Sequence, residues 1–355
     1  MEIQIGSHTL GLNHPTYFIA DIAANHDGSL ERAIQLIGLA KEAGVDAAKF
    51  QNFRAAQIVS DYGFKSLGGQ QSHQAQWKKS VFEVYQGASV PFEWTPFLKE
   101  ACDKVGIDYF SSPYDFGATD MLDAFVPAYK IGSGEINWPE AMEYMARKGK
   151  PILLATGASE MGEVQHAVRT ILAINPQLVL MQCNTNYTIS PENFKYINLN
   201  VLKTYATMYP QLVLGLSDHT PGHATVLGAV ALGARVIEKH FTDDNKREGP
   251  DHAFALNPQA WADMVTNTRY LERALGSAEK FVAGNEQETV VLQRRCLRAA
   301  RDLKVGDVLK REMLDVLRPA PQDAIMPTEI PVVLGKRLLV DLPKGKEFKW
   351  MFLGE

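Results

Sequence analysis

The chain has little cysteine: Cys102, Cys183 and Cys296 are its only three, too few and too scattered for a disulfide frame or a zinc knuckle. It also lacks an excess of positive charge. A net charge of −5 argues against a nucleic-acid-binding surface. No long apolar run is present, since the most apolar stretch, Ala224 to Ala234, is about 11 residues and too short to span a bilayer. The opening Met1-Glu2-Ile3-Gln4-Ile5 has neither a basic n-region nor a cleavable apolar core, so no signal peptide is expected. These absences leave a soluble, cytoplasmic protein with no nucleic-acid or membrane partner.

What is present is an alternation. Eight short apolar, β-rich runs recur up to about residue 240: Tyr17–Ile22, Asp46–Phe50, Asp108–Phe110, Ala128–Ile131, Pro151–Ala155, Leu178–Met181, Leu212–Leu216 and Arg235–Glu238. Helical patterns fill most of the gaps, and Gly44 and Gly106 sit where left-handed helix caps belong. The alternation predicts an α/β fold, a (β/α)8 TIM barrel. A doubly wound open sheet is the alternative, but no glycine-rich dinucleotide loop follows the first run. The barrel domain is expected over 1–280, opened by a short hairpin at 1–16. A polar linker at 281–293 then leads to a small β-rich domain at 294–355. A long segment, 54–95, interrupts the alternation after the second run and is expected at the active-site face.

Two histidines close neighbouring strand runs, in Gly215-Leu216-Ser217-Asp218-His219-Thr220 and Ile237-Glu238-Lys239-His240-Phe241-Thr242. If those runs are parallel strands joined by the helix-like 223–233 segment, both imidazoles emerge side by side. Such a pair suits a divalent metal; the other reading is that each caps its strand. Two lysines lie inside apolar runs, Lys49 in Ala47-Ala48-Lys49-Phe50 and Lys130 in Ala128-Tyr129-Lys130-Ile131. Burying them requires an anion. With Ser133 and Ser217 as neutral donors they suit a phosphate or carboxylate ligand; the other reading is pairing with a fixed acid such as Asp21 or Glu135.

The order of motifs resembles the sialic acid synthase family, which condenses phosphoenolpyruvate with N-acylated amino sugars. The likeness rests on Ile19 to Gly28, Lys49-Phe50-Gln51, Ser111 to Asp115, Lys130 to Glu135, Gly215 to Thr220, Glu238 to Thr242 and Gly249-Pro250-Asp251-His252. Arg294 to Asp302 resembles the start of that family's antifreeze-like (SAF) domain. The resemblance implies that His219 and His240 hold a divalent metal, Mn²⁺ or Mg²⁺. It implies that Lys49, Lys130, Ser133 and Ser217 cradle phosphoenolpyruvate, and that Asp21, Gln51, Glu135, Thr185, Tyr187 and Asp251 contact substrate or take part in catalysis. Arg318 is implied to extend into a partner subunit's site, in a domain-swapped homodimer. Departures from the family pattern are Asp21 for a longer Glu, Ala155 for a phosphate-holding Ser, and Thr188 for a Pro.

Readings outside the family are a metal-dependent hydrolase on the same barrel and a non-catalytic sugar-binding protein. Within it, the segment Tyr85 to Trp94 points to pseudaminic-type acceptors and Lys130 to Glu135 to sialic- or legionaminic-type ones.

Overall fold

The computed structural model describes residues 2–69, 74–75, 77–187 and 189–355; Thr188 and five positions of the 54–95 segment lie outside the described residues. The chain forms two compact units, Met1–Gly276 and Ser277–Glu355.

The first unit opens with the hairpin β1 (Ile3–Ile5) and β2 (His8–Leu10). Eight parallel strands follow: β3 (Tyr17–Asp21), β4 (Ala47–Asn52), β5 (Asp108–Pro113), β6 (Tyr129–Ile131), β7 (Ile152–Ala155), β8 (Leu178–Cys183), β9 (Val213–Asp218) and β10 (Ala234–His240). Their ladder runs β5-β4-β3-β10-β9-β8-β7-β6, and the two end strands, β5 and β6, pack together to close a TIM-type barrel. Most of these strands run further toward their C-terminal ends than their apolar runs. Gln51, Asn52, Ser111, Ser112, Gln182, Cys183, Ser217, Asp218, Lys239 and His240 are ladder residues. Backbone pairing outlasts the hydrophobic signal because these polar side chains meet one another at the mouth.

The helices are cut by identifiable signals. Leu30–Glu42 is capped by Ser29, whose side chain accepts from Arg32 N–H, and chain reversal at Gly44 uses φ +86°. Between β9 and β10 the helix Ala224–Ala231 buries Val226, Ala229 and Val230 against the barrel. After β4, the 54–95 segment folds as short helices, Ala55–Ile58, Asp61–Ser66 and Val81–Ala88, around a small cluster containing Ala55, Val59 and Val81.

The hairpin seals the barrel floor. Ile3, Ile5 and Leu10 join Tyr17, Phe110, Leu153, Val179, Met181 and Val236 in one buried cluster. The second unit pairs Cys296–Ala299 with Leu314–Leu317 and Arg337–Leu338 with Leu353–Gly354, around Leu297, Leu309, Ile325, Val333 and Phe348. The stretch read from sequence as a linker is ordered: it holds the helix Gln287–Gln293. Among the described residues, no helix is long and apolar enough to cross a membrane.

Because Ile5 is fully buried at the floor, Ile5→Ala should lower unfolding free energy by about 2–5 kcal/mol in urea titrations. The mouth lies at the other end of the strands, so ligand binding there should stay unchanged.

Candidate active site

Strand register assembles the mouth. Asp21 lies opposite Lys49 in the β3–β4 ladder and opposite His240 in the β10–β3 ladder. Between β9 and β10 the register slips by one residue at Ala234/Val236. That bulge sets parity: it brings Glu238 opposite Ser217 on the inner face and Lys239 opposite Asp218 on the outer.

Four charged groups then converge out of water. Lys49 Nζ lies 2.5 Å from Asp21 Oδ2 and 3.7 Å from Glu238 Oε1. Lys130 Nζ is 3.5 Å from that same Glu238 oxygen and donates to the Ile131 carbonyl at 3.1 Å. Ser217 Oγ donates to Glu238 Oε1 at 3.3 Å, and Gln51 Nε2 to Asp21 Oδ2 at 3.4 Å. Burial works against the Lys49 ammonium, but Asp21 and Glu238 outweigh it and hold its pKa above the ordinary value. Asp21, despite its short side chain, reaches Lys49, Gln51 and, at 3.7 Å, His240.

The fixed acid beside Lys130 is therefore Glu238, where the sequence suggested Asp21 or Glu135. Glu135 instead folds back over Gly132, where an added Cβ would sit 2.5 Å from its Oε2. Burial raises the Glu135 pKa, against the pull of Lys130 and Lys49.

The two histidine rings face each other with centroids 5.5 Å apart. Nδ1 of His219 lies 3.0 Å from the Asn184 carbonyl; burial works against the charged ring, but Cys183 and that carbonyl outweigh it and hold its pKa above the imidazole norm. Nδ1 of His240 is buried and has no hydrogen-bond partner among the described residues. Burial, then the nearby His219 and Lys49, holds the His240 pKa well below the imidazole norm, so the ring is neutral. Tyr187 and Phe254 pack on both rings, at 4.4 and 6.2 Å from His219 and 6.2 and 4.8 Å from His240. No group of three or more His, Cys, Asp or Glu among the described residues forms a self-sufficient metal cage. Two imidazoles, one with an orphaned nitrogen, fit a divalent ion completed by water or substrate.

A third cluster surrounds Gly157. Its N–H donates to Ser133 Oγ at 2.9 Å. A Cβ there would lie 1.9 Å from Thr185 Oγ1, 2.8 Å from Ser133 Oγ and 3.0 Å from Cys183 Sγ, so only glycine lets the three side chains meet. Ala155 ends β7 with no donor, and the next hydroxyl, Thr156, turns away to the Met181 carbonyl at 2.9 Å. Asp251, from the loop after β10, accepts the Ala24 N–H at 3.2 Å, and burial pushes its carboxyl up to about 6.

Some candidates stand elsewhere. Arg318 is exposed in the second unit, just past Leu314–Leu317. His252 bonds Thr242 Oγ1 at 2.7 Å and Asp27 Oδ1 at 2.9 Å, tying two loops together. His26 serves its own turn, accepting from Gly28 N–H at 3.0 Å. Trp94 and Trp138 pack on His26 and Phe116. Alternation along β10 puts Glu238 on the same face as His240, but sequence reasoning did not assign it as the acid between the two lysines. That reasoning also missed Phe254 and Gly157, which carry no motif of their own.

Asp251 carries a pH signature. Its folded pKa lies above that of an unfolded Asp, so its ionisation destabilises the ligand-free fold as pH rises through about 6. In chelator-treated protein, Asp251→Asn should raise unfolding free energy at pH 8 by about 1–3 kcal/mol, the lower figure allowing for solvent at the mouth. That gain should shrink as pH falls toward 5 in denaturant titrations.

Comparison with known proteins fits this geometry. Residues 36–280 match the NeuB family and residues 294–350 the SAF domain. The N,N'-diacetyllegionaminic acid synthase of Legionella pneumophila is 34% identical, over 96% of this chain and 95% of that protein. The human N-acetylneuraminate-9-phosphate synthase is 32% identical, over 93% and 90%. A Campylobacter jejuni pseudaminic acid synthase is 32% identical, over 98% of each. Among solved structures, the Bacillus subtilis spore coat polysaccharide biosynthesis protein SpsE superposes with a TM-score of 0.66 at 31% identity, covering 100% of this chain and 99% of that one. With the barrel, its mouth and the SAF domain all accounted for, the chain belongs to the NeuB family.

Proposed function

We propose that this protein condenses phosphoenolpyruvate with an N-acylated amino sugar, giving a nonulosonic acid and phosphate. The observation that carries this reading is the meeting of two buried lysines and two facing histidines at one barrel mouth in a NeuB-family chain. Relatives named for legionaminic, neuraminic-9-phosphate and pseudaminic products support the substrate class: an N-acetylmannosamine-like sugar or a 2,4-diacetamido-trideoxyhexose.

The residues divide the work by chemistry. Lys49 and Lys130, now held by Asp21 and Glu238, turn to the phosphate and carboxylate of phosphoenolpyruvate, with Ser133 and Ser217 as neutral donors. His219 and His240 hold a divalent metal, Mn²⁺ or Mg²⁺, which when bound supplies Lewis acidity to the aldehyde or water oxygen. Gln51, Thr185, Tyr187 and Asp251 contact the open-chain sugar. C3 of the enol bonds to the sugar's aldehyde carbon, whose oxygen takes up a proton to become a hydroxyl, and water adds to the cationic C2. Its proton passes to a carboxylate, Glu135 or Asp21. Breaking the C2–O bond to phosphate, with the C2 hydroxyl's proton leaving on the phosphate, gives the 2-keto acid.

The reading extends to a cytoplasmic homodimer in which Arg318 of one copy enters the mouth of the other. Incubation with phosphoenolpyruvate, Mn²⁺ and a panel of N-acylated hexosamines should release phosphate and 2-keto acid in equal amounts. His219→Ala should abolish both, and a folded, metal-loaded wild type silent on every sugar would sink the reading. For Arg318, equal parts of Arg318→Ala and His219→Ala, unfolded and refolded together, should regain activity that neither shows alone. No gain would place Arg318 outside the partner's site.

A further inference from the structure

Directly behind the histidines, on the outer face of the same two strands, lies an ion pair that touches no candidate substrate group. Lys239 precedes His240 and Asp218 precedes His219, and the two stand opposite each other in the β9–β10 register. Lys239 Nζ lies 2.5 Å from Asp218 Oδ2 and donates to the Thr220 carbonyl at 2.6 Å. Each side chain is 1% exposed. Asp218 also accepts from Thr220 Oγ1 at 2.9 Å and from Thr225 Oγ1 at 2.7 Å, the latter from the first turn of Ala224–Ala231. His219 is therefore fixed on both flanks, through residue 218 and residue 220, to the residue that precedes His240.

We propose that the Lys239–Asp218–Thr225 network is a positioning clamp that sets the separation and tilt of the two histidine rings for a divalent ion. It rests on the reading that His219 and His240 hold that ion. Strand cohesion alone does not call for such a pair, because well-packed apolar side chains often replace a buried ion pair without loss of stability. What charge adds is direction: one ammonium with two short contacts admits a single arrangement of the strand ends. Metal sites lose affinity steeply when the groups that orient their ligands are removed.

The test uses chelator-stripped full-length protein, with Mn²⁺ binding followed by electron paramagnetic resonance and Co²⁺ binding by visible absorption. The double variant Lys239→Met/Asp218→Asn removes both charges at nearly constant side-chain size and keeps an acceptor for the threonine hydroxyls. It should lose some thermal stability, because the buried Thr220 carbonyl is left without its donor, weaken Mn²⁺ by about 10-fold or more, and shift the Co²⁺ bands. Ile5→Ala, destabilised at the floor, should bind Mn²⁺ like the wild type, which separates positioning from mere loss of stability. Should the double variant not fold, Thr225→Val, which removes the hydroxyl's bonds to Asp218 and Thr220, decides: it should weaken Mn²⁺ by about threefold or more. Loss below about threefold in the folded double variant with unshifted Co²⁺ bands overturns the clamp, as does wild-type affinity in Thr225→Val if that variant is the decisive one. Unaltered Mn²⁺ binding by His219→Ala would instead overturn the metal reading itself.

Discussion

A lysine ammonium cannot sit among Ala47, Ala48 and Phe50 without an anion, and the mouth of this barrel is organised around that requirement. Asp21 answers it at 2.5 Å, from the adjacent strand and on the same rung. Glu238 answers for Lys130 at 3.5 Å while also standing 3.7 Å from Lys49, so one carboxylate oxygen links both cations. Its second oxygen, Oε2, is buried without a partner among the described residues. A site so assembled is charged before any ligand arrives and needs only an exchange of anions to receive one.

Back to back with this inner web stands the outer pair, Lys239 and Asp218, made by alternate residues of the same strands. The two layers differ in kind. Inner contacts include several of 3.3–3.7 Å that a ligand can replace, whereas the outer pair is short, saturated with threonine hydroxyls and shielded by a helix. The bulge at Ala234/Val236 makes both possible at once, since one residue less would turn Glu238 toward the Asp218 face.

The barrel was legible because eight apolar runs with helical spacers leave few alternatives. The histidines and lysines were legible as strand-end residues because side chains alternate with period two. Alternation names a face, however, and not a cross-strand partner. Lys130 meets Glu238 through the β9–β10 slip and barrel closure, neither of which has a local signature. Phe254 and Gly157 were hidden for another reason: one contributes an apolar wall and the other an absence of side chain, and neither is chemically conspicuous. The strand ends were drawn short because hydrophobicity stops where the polar site begins, although the backbone ladder does not.

Ile3, Ile5 and Leu10 close the floor of the barrel, the end away from the strand C-termini where the charged groups meet. Lys130 and Glu238 are rooted within their strands, while Tyr187 and Asp251 hang from loops above. On the proposed reading, the anion held by the lysines sits deeper in the barrel than the sugar that meets it at the rim.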